Sequence, residues 1–173
     1  YKLPILFQNL ALSLFGLHWY KRRYGGVFKT EYVKSQKREF YSRLEWDNYQ
    51  EEQLRSLLLH ASKTVPYYQK LFSEQGIPIP TLKTFTIDQL PRLPLLEKDT
   101  FRRVGMTELL SSSREPHSEI LLSSGSTGTP TQNLYSLRMH QTYYAIFENR
   151  ILNWAGLNYK VPRGVIGGRH ILR

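Results

Sequence analysis

The sequence predicts an α/β fold, expressed over these 173 residues as α+β. Three observations carry that expectation. Helix-period apolar residues bracketed by cap signals lie between 47 and 76, a proline-rich strap follows to 97, and a strand-length apolar run after 118 enters a glycine-rich bend and leaves toward another helical pattern. With 40% hydrophobic residues the chain can bury one modest core. It opens on Tyr1 and stops on "GGRHILR" without a polar tail, so either end is compatible with a cut.

The formal charge is +10, from 24 Lys and Arg against 14 Asp and Glu. Residues 1–60 carry ten basic and six acidic groups, 61–120 eight and seven, and 121–173 six and one. Such a spread argues against a nucleic-acid surface, which gathers cations with aromatics on one face. The tightest cluster here is "KRR" at 21–23. Absence of cysteine excludes disulfides, thiolate catalysis and Cys-based metal sites, and fits a reducing, cytoplasmic setting.

The opening "LPILFQNLALSLFGLHWYKRRYGG" is apolar but interrupted by Pro4, Gln8, Asn9, Ser13, Gly16 and His18, short of the roughly 20 clean residues of a spanning helix. Its basic residues follow the apolar run, the wrong order for a secretory signal. Two readings stand: a helix packed on the protein, or an amphipathic helix on a membrane surface.

Asp47, three residues before Gln50, has capping-box spacing, and Leu54, Leu57, Leu58 and Ala61 then repeat at helical intervals, predicting a helix from about Asn48 to Lys63. Thr64 and Pro66 read as the cap and first turn of a second helix, with Tyr67, Leu71 and Phe72 inward and Gly76 just past its end. Pro78, Pro80, Pro91 and Pro94 predict an irregular strap. "EKDTFRRVG" predicts a short helix ending near Gly105.

After Ser111 the texture changes. "ILLSS" reads as a strand, "TQNLYS" as a returning strand, and Met139, Tyr143, Ile146, Phe147, Ile151 and Trp154 recur at helical intervals before Gly156. Between them lies "SSGSTGTPT", residues 123–131. Glycines let backbone N–H groups approach an anion, and serine and threonine hydroxyls donate to phosphate oxygens, so the bend is a candidate phosphate cradle; a solvated turn is the alternative. It is not a Walker loop, because no lysine occurs from 99 to 159, and it lacks the dinucleotide-binding spacing.

Ser123, Ser124, Gly125, Ser126, Thr127, Gly128, Thr129 and Pro130 resemble the T-S-G-S/T-T-G-x-P signature of the adenylate-forming enzymes, with serine for the first threonine. "LLLHASKTVPYYQKLFSEQGI" and "LPRLPLLEKDTFRR" resemble the N-terminal region of the branch holding phenylacetate-CoA ligases, CapK-like proteins and coenzyme F390 synthetase-like proteins. The landmarks span about residues 54 to 130. The opening also looks like a CapK-type leader.

The resemblance implies an ATP-dependent ligase that joins a carboxylate to AMP and passes the acyl group to CoA or another nucleophile, with Mg²⁺ as cofactor. Residues 123–129 would bind the nucleotide phosphates: Ser124, Ser126 and Thr127 as side-chain donors, Gly125 and Gly128 through backbone freedom, Ser123 and Thr129 as flanks. It also implies three segments. These are a helical leader over 1–46, a hairpin and strap over 47–110, and the incomplete start of the nucleotide-binding core of the large N-terminal domain over 111–173, with the lid domain absent. CapK-like relatives suggest a place in polysaccharide biosynthesis.

Thr131 stands where many acyl-CoA synthetases carry lysine, and the family's downstream adenine, ribose and lid motifs are missing, so the chain alone is expected to be inactive. No catalytic residue is assigned. His18, His60, His117, His140 and His170 have no metal-ligand spacing. Arg163, Arg169 and Arg173 read as a solvated set. The competing class is a non-catalytic basic module at a membrane periphery, docked through residues 1–24.

Overall fold

A computed structural model describes residues 4–116, 118–123 and 130–161. In chain order these form α1 (Ile5–Tyr24), α2 (Phe28–Arg38), α3 (Arg43–Thr64), α4 (Pro66–Glu74), α5 (Ile79–Lys83), a 3-10 turn (Ile87–Arg92), α6 (Lys98–Val104), α7 (Met106–Leu109), β1 (Glu119–Leu122), β2 (Gln132–Tyr135), α8 (Leu137–Phe147) and a π-helical turn (Glu148–Leu152). They fall into two compact units, one of residues 40–137 and one drawn from the described residues of 1–39 and 138–173.

In the 40–137 unit, α3 starts five residues before the expected Asn48. Ser42 accepts from the Glu45 N–H while the Glu45 carboxylate accepts from the Ser42 N–H at 2.7 Å, a complete capping box. Asp47 lies inside the helix instead and takes Arg43 Nε at 3.0 Å. The Ser42 side-chain and backbone hydrogen bonds hold the Glu45 carboxyl below its usual value. This cap is therefore intact above the ordinary carboxylate range and is lost as pH falls through the lowered value.

Thr64 is the last residue of α3, its hydroxyl donating to the His60 carbonyl at 2.8 Å, and Val65 caps α4 with Pro66 at the first helical position. At the far end Gly76 adopts φ +61° and the Ile77 N–H donates to the Phe72 carbonyl at 2.8 Å, which turns the chain back. The core that follows consists of Leu58, Phe72, Leu82 and Phe85, flanked by Leu54, Leu59, Tyr68, Ile77 and Leu93. Burial, and then neighbouring Tyr67, push the Tyr68 phenol up.

The strap is more ordered than its prolines suggest. Pro80 sits in the first turn of α5, where a missing N–H leaves no hydrogen bond unmade, and the helix delivers Leu82 to the centre of the core, fully buried. Leu57, in contrast, is exposed despite its helical spacing. α6 closes at Gly105, φ +82°, as the sequence predicts.

In the other unit α1 is a 20-residue helix with no fully buried residue; its first turns are exposed, whereas Trp19, Arg22, Arg23 and Tyr24 toward its end are half-buried, Tyr24 packing on Phe28 and Tyr144. α2 buries Phe28 and Ser35, and Phe28 lies among Tyr24, Tyr32 and Tyr159. The face that α8 and the π-helical turn bury is not the apolar stripe. Gln141, Ala145, Glu148 and Asn149 are buried, whereas Met139, Tyr143, Ile146, Ile151 and Trp154 are exposed. Hydrogen bonds explain the choice: the Val27 N–H donates to Gln141 Oε1 at 3.2 Å, Tyr24 to Glu148 Oε1 at 3.0 Å, and Asn149 Nδ2 to Ser35 Oγ and Glu39 Oε1, both at 3.0 Å. Gly26, φ +49°, adopts a left-handed backbone that favours glycine, and a Cβ there would also press on the Gln141 carboxamide.

Leu82→Ala removes a fully buried side chain from the centre of a small core and should cost about 2–5 kcal/mol, read as a lower urea midpoint. Leu57→Ala, on the exposed side of α3, should stay within about 0.5 kcal/mol of the parent.

Candidate functional site

β1 and β2 pair antiparallel with Glu119 opposite Tyr135, Ile120 opposite Leu134, Leu121 opposite Asn133 and Leu122 opposite Gln132. The connection between the paired strands is therefore residues 123–131, the glycine and hydroxyl run itself. Its neck is closed by two further hydrogen bonds. The Ser123 N–H donates to the Thr131 carbonyl at 2.9 Å, and the Thr131 N–H donates to Ser123 Oγ at 2.8 Å.

Of the seven residues picked out for phosphate binding, Ser123 is described and its hydroxyl oxygen serves the neck. Ser124, Gly125, Ser126, Thr127, Gly128 and Thr129 lie outside the described residues, as do Arg163, Arg169, Arg173 and His117. Thr131 is half-buried at the end of the connection.

The hairpin is positioned by the helical core rather than by its own strands, since a two-stranded ribbon is marginal in water. The Ser112 N–H donates to the Thr64 carbonyl at 2.7 Å, fixing the loop before β1 to the last turn of α3. Ser118 Oγ donates to the Glu115 carbonyl at 2.9 Å one residue before β1. α7 packs on both α4, which buries Phe72 in the core, and α6, so the segment leading into the hairpin is tied to the helical core through α4.

Beside the neck opens a cavity of about 540 Å³, formed by α6, α7, the loop carrying Ser111 and Arg114, and residues 130–134. Its wall is mixed. Phe101, Met106 and Leu109 give an apolar side, Gln132 and Asn133 lie on the strand side, and Arg102 and Arg114 bring positive charge. Among the described residues lining it there is no carboxylate; Asp99, almost fully exposed, meets Arg102 at 3.4 Å outside that set. The arginines escaped sequence reading because Arg102 lay in a stretch read as a helix end and Arg114 in a loop, and nothing in the sequence brings the two to one cavity. The one available signal was that lysine is missing from 99 to 159, which leaves arginine to supply cations there.

Among the described residues no group of three or more His, Asp or Glu is placed to hold a metal ion. His60 lies by Thr64 at 3.2 Å and the His140 ring packs on Tyr144 with centroids 4.9 Å apart.

No protein-family model matches the chain. Over 82 residues, 47% of its length, the chain is 33% identical to the phenylacetate-coenzyme A ligase of Thermus thermophilus. The matched region spans only 18% of that ligase. The chain thus shares a partial relationship with a carboxylate-CoA ligase.

Ser123→Ala removes the side-chain acceptor of the Thr131 N–H and should loosen the neck by about 0.5–1.5 kcal/mol. Hydrogen exchange at the Thr131 amide should speed up roughly two- to tenfold, with Ser123→Thr close to the parent.

Proposed function

We propose that the chain is the N-terminal part of an ATP-dependent ligase that activates a carboxylate. A carboxylate oxygen attacks the α-phosphorus of ATP, the bond from that phosphorus to its bridging oxygen breaks, and pyrophosphate leaves with the electron pair. The acyl-adenylate that remains is taken up by CoA or another nucleophile. Supporting this reading is the glycine and hydroxyl run set at the turn of a braced hairpin, in a chain that shares sequence with phenylacetate-coenzyme A ligase. Within the superfamily, the phenylacetate-CoA ligase, CapK-like and coenzyme F390 synthetase-like branch is the one favoured, with polysaccharide assembly as a setting.

In this reading β1, β2 and α8 begin the nucleotide-binding core, and residues 124–129 grip the phosphates. Backbone N–H groups and the Ser124, Ser126 and Thr127 hydroxyls neutralise charge that grows on the leaving pyrophosphate. Mg²⁺ would accompany the nucleotide phosphates, and no described residue of this chain is assigned to it. The matched stretch is a small part of the relative, and the chain alone is expected to lack turnover.

A second reading is favoured by α1. No helix among the described residues is long and apolar enough to cross a membrane. Yet Ile5, Leu6, Phe7, Leu10, Leu14 and Phe15 are all more than half exposed, with Lys21, Arg22 and Arg23 in the last turn. An exposed apolar surface next to cations suits the interface of an anionic bilayer.

In the full-length protein, Ser126→Ala combined with Thr127→Ala should cut ATP–pyrophosphate exchange by about a hundredfold or more, since each hydroxyl lost is one bond to a charged partner. Unchanged exchange would remove the phosphate-loop assignment. For the second reading, Leu10→Glu with Leu14→Glu should abolish co-sedimentation with phosphatidylserine vesicles while leaving thermal stability unaltered, because neither side chain is buried. Undiminished co-sedimentation would exclude α1 as the contact.

A further inference from the structure

Resting on the ligase reading, we propose that the cavity beside the hairpin neck is a polyphosphate seat, in which Arg102 and Arg114 supply the cations that the loop itself lacks. The loop's problem is charge. Thr131 occupies the place after Pro130, and the nearest lysines are Lys98 and Lys160, so its own residues offer dipoles and hydroxyls but no full positive charge. A pyrophosphate group carries several negative charges, and hydroxyl donors alone leave most of them uncompensated.

The cavity answers that deficit in space. Thr131 and Pro130, the last residues of the connection, are part of its wall, so it opens where the glycine and hydroxyl run ends. Arg102 reaches it from α6, which packs on α7, and Arg114 from the loop before β1, which Ser112 ties to the end of α3. Guanidinium groups bind phosphate oxygens in pairs through a planar fork, which a point-like ammonium does not match. Gln132 and Asn133 border it on the strand side with neutral polar groups, and the lining has no carboxylate among the described residues to repel an anion. Asp99 pairs with Arg102 from the solvent side, where a phosphate of higher charge can displace it.

The same chemistry has two sources, the tail of ATP or the pyrophosphate released from it. Arg114→Gln is the informative variant, because Arg114 is exposed and its loss leaves the core intact. In the full-length protein, binding of inorganic pyrophosphate by titration calorimetry should weaken at least tenfold in Arg114→Gln and in Arg102→Gln, and Arg114→Lys should recover part of it. The KM for ATP should rise in the same variants with kcat little changed if the seat holds the ATP tail. Weaker pyrophosphate binding with an unaltered KM would place the leaving group there instead, and either result supports the seat. Circular dichroism melting, unchanged for Arg114→Gln, separates this from misfolding.

Pyrophosphate affinity equal to the parent in both glutamine variants would overturn the proposal. If Ser126→Ala with Thr127→Ala still loses binding in that case, the ligase reading survives and only the arginine seat falls. If that double variant also binds normally, the ligase reading falls with it.

Discussion

The candidate site depends on one constraint, the register of a four-residue ribbon closed at Ser123 and Thr131. A slip of one residue would turn the side chains of the slipped strand to the opposite face and move the glycine and hydroxyl run off the turn. The ribbon is too small to hold its register alone, so the constraint is passed backward through Ser112 to the final carbonyl of α3, and from there to the core around Leu82. The two ends of the connection are thus mounted on a braced base. Preorganised donors need such a base, since a loop free to wander would spend its interaction energy on being ordered.

The other unit is organised by a different principle. Glu148 is the single acidic residue from 121 to 173 and is fully buried, with the Tyr24 hydroxyl at 3.0 Å. Gln141 and Asn149 on the same side reach the backbone of Val27 and the side chains of Ser35 and Glu39. Polar groups buried this way stabilise little on balance but penalise every alternative pairing, because each unmade bond costs more than a made one contributes. The seam therefore specifies how the leader and the C-terminal helix associate, and Gly26 keeps the backbone close enough for it to form.

What could be read from sequence was what local chemistry decides. Pro66, Gly76 and Gly105 marked helix ends correctly because cap geometry follows from a residue's own backbone preferences. The strands on either side of the bend were legible from apolar run length and turn residues. The cap of α3 was misplaced because Asp47 and Gln50 share the spacing of Ser42 and Glu45, and the earlier pair, with both reciprocal bonds made, starts the helix first. Leu82 and Phe85 were hidden by prolines that interrupt strands but are tolerated in a first helical turn. The inverted face of α8 could not have been found by periodicity, since its partners lie 110 to 124 residues away. The same holds for Arg102 and Arg114, which only the fold brings to the wall of one cavity.

β1 carries one more consequence. Ile120 and Leu122 face one side of the ribbon and Leu121 the other, yet all three are largely exposed. A strand apolar on both sides, with one edge unpaired among the described residues, is a template onto which an extended segment of another molecule can add. Without further sheet around it, "EILL" therefore gives the chain, besides the apolar face of α1, a second surface through which copies can associate at high concentration despite the surplus of positive charge.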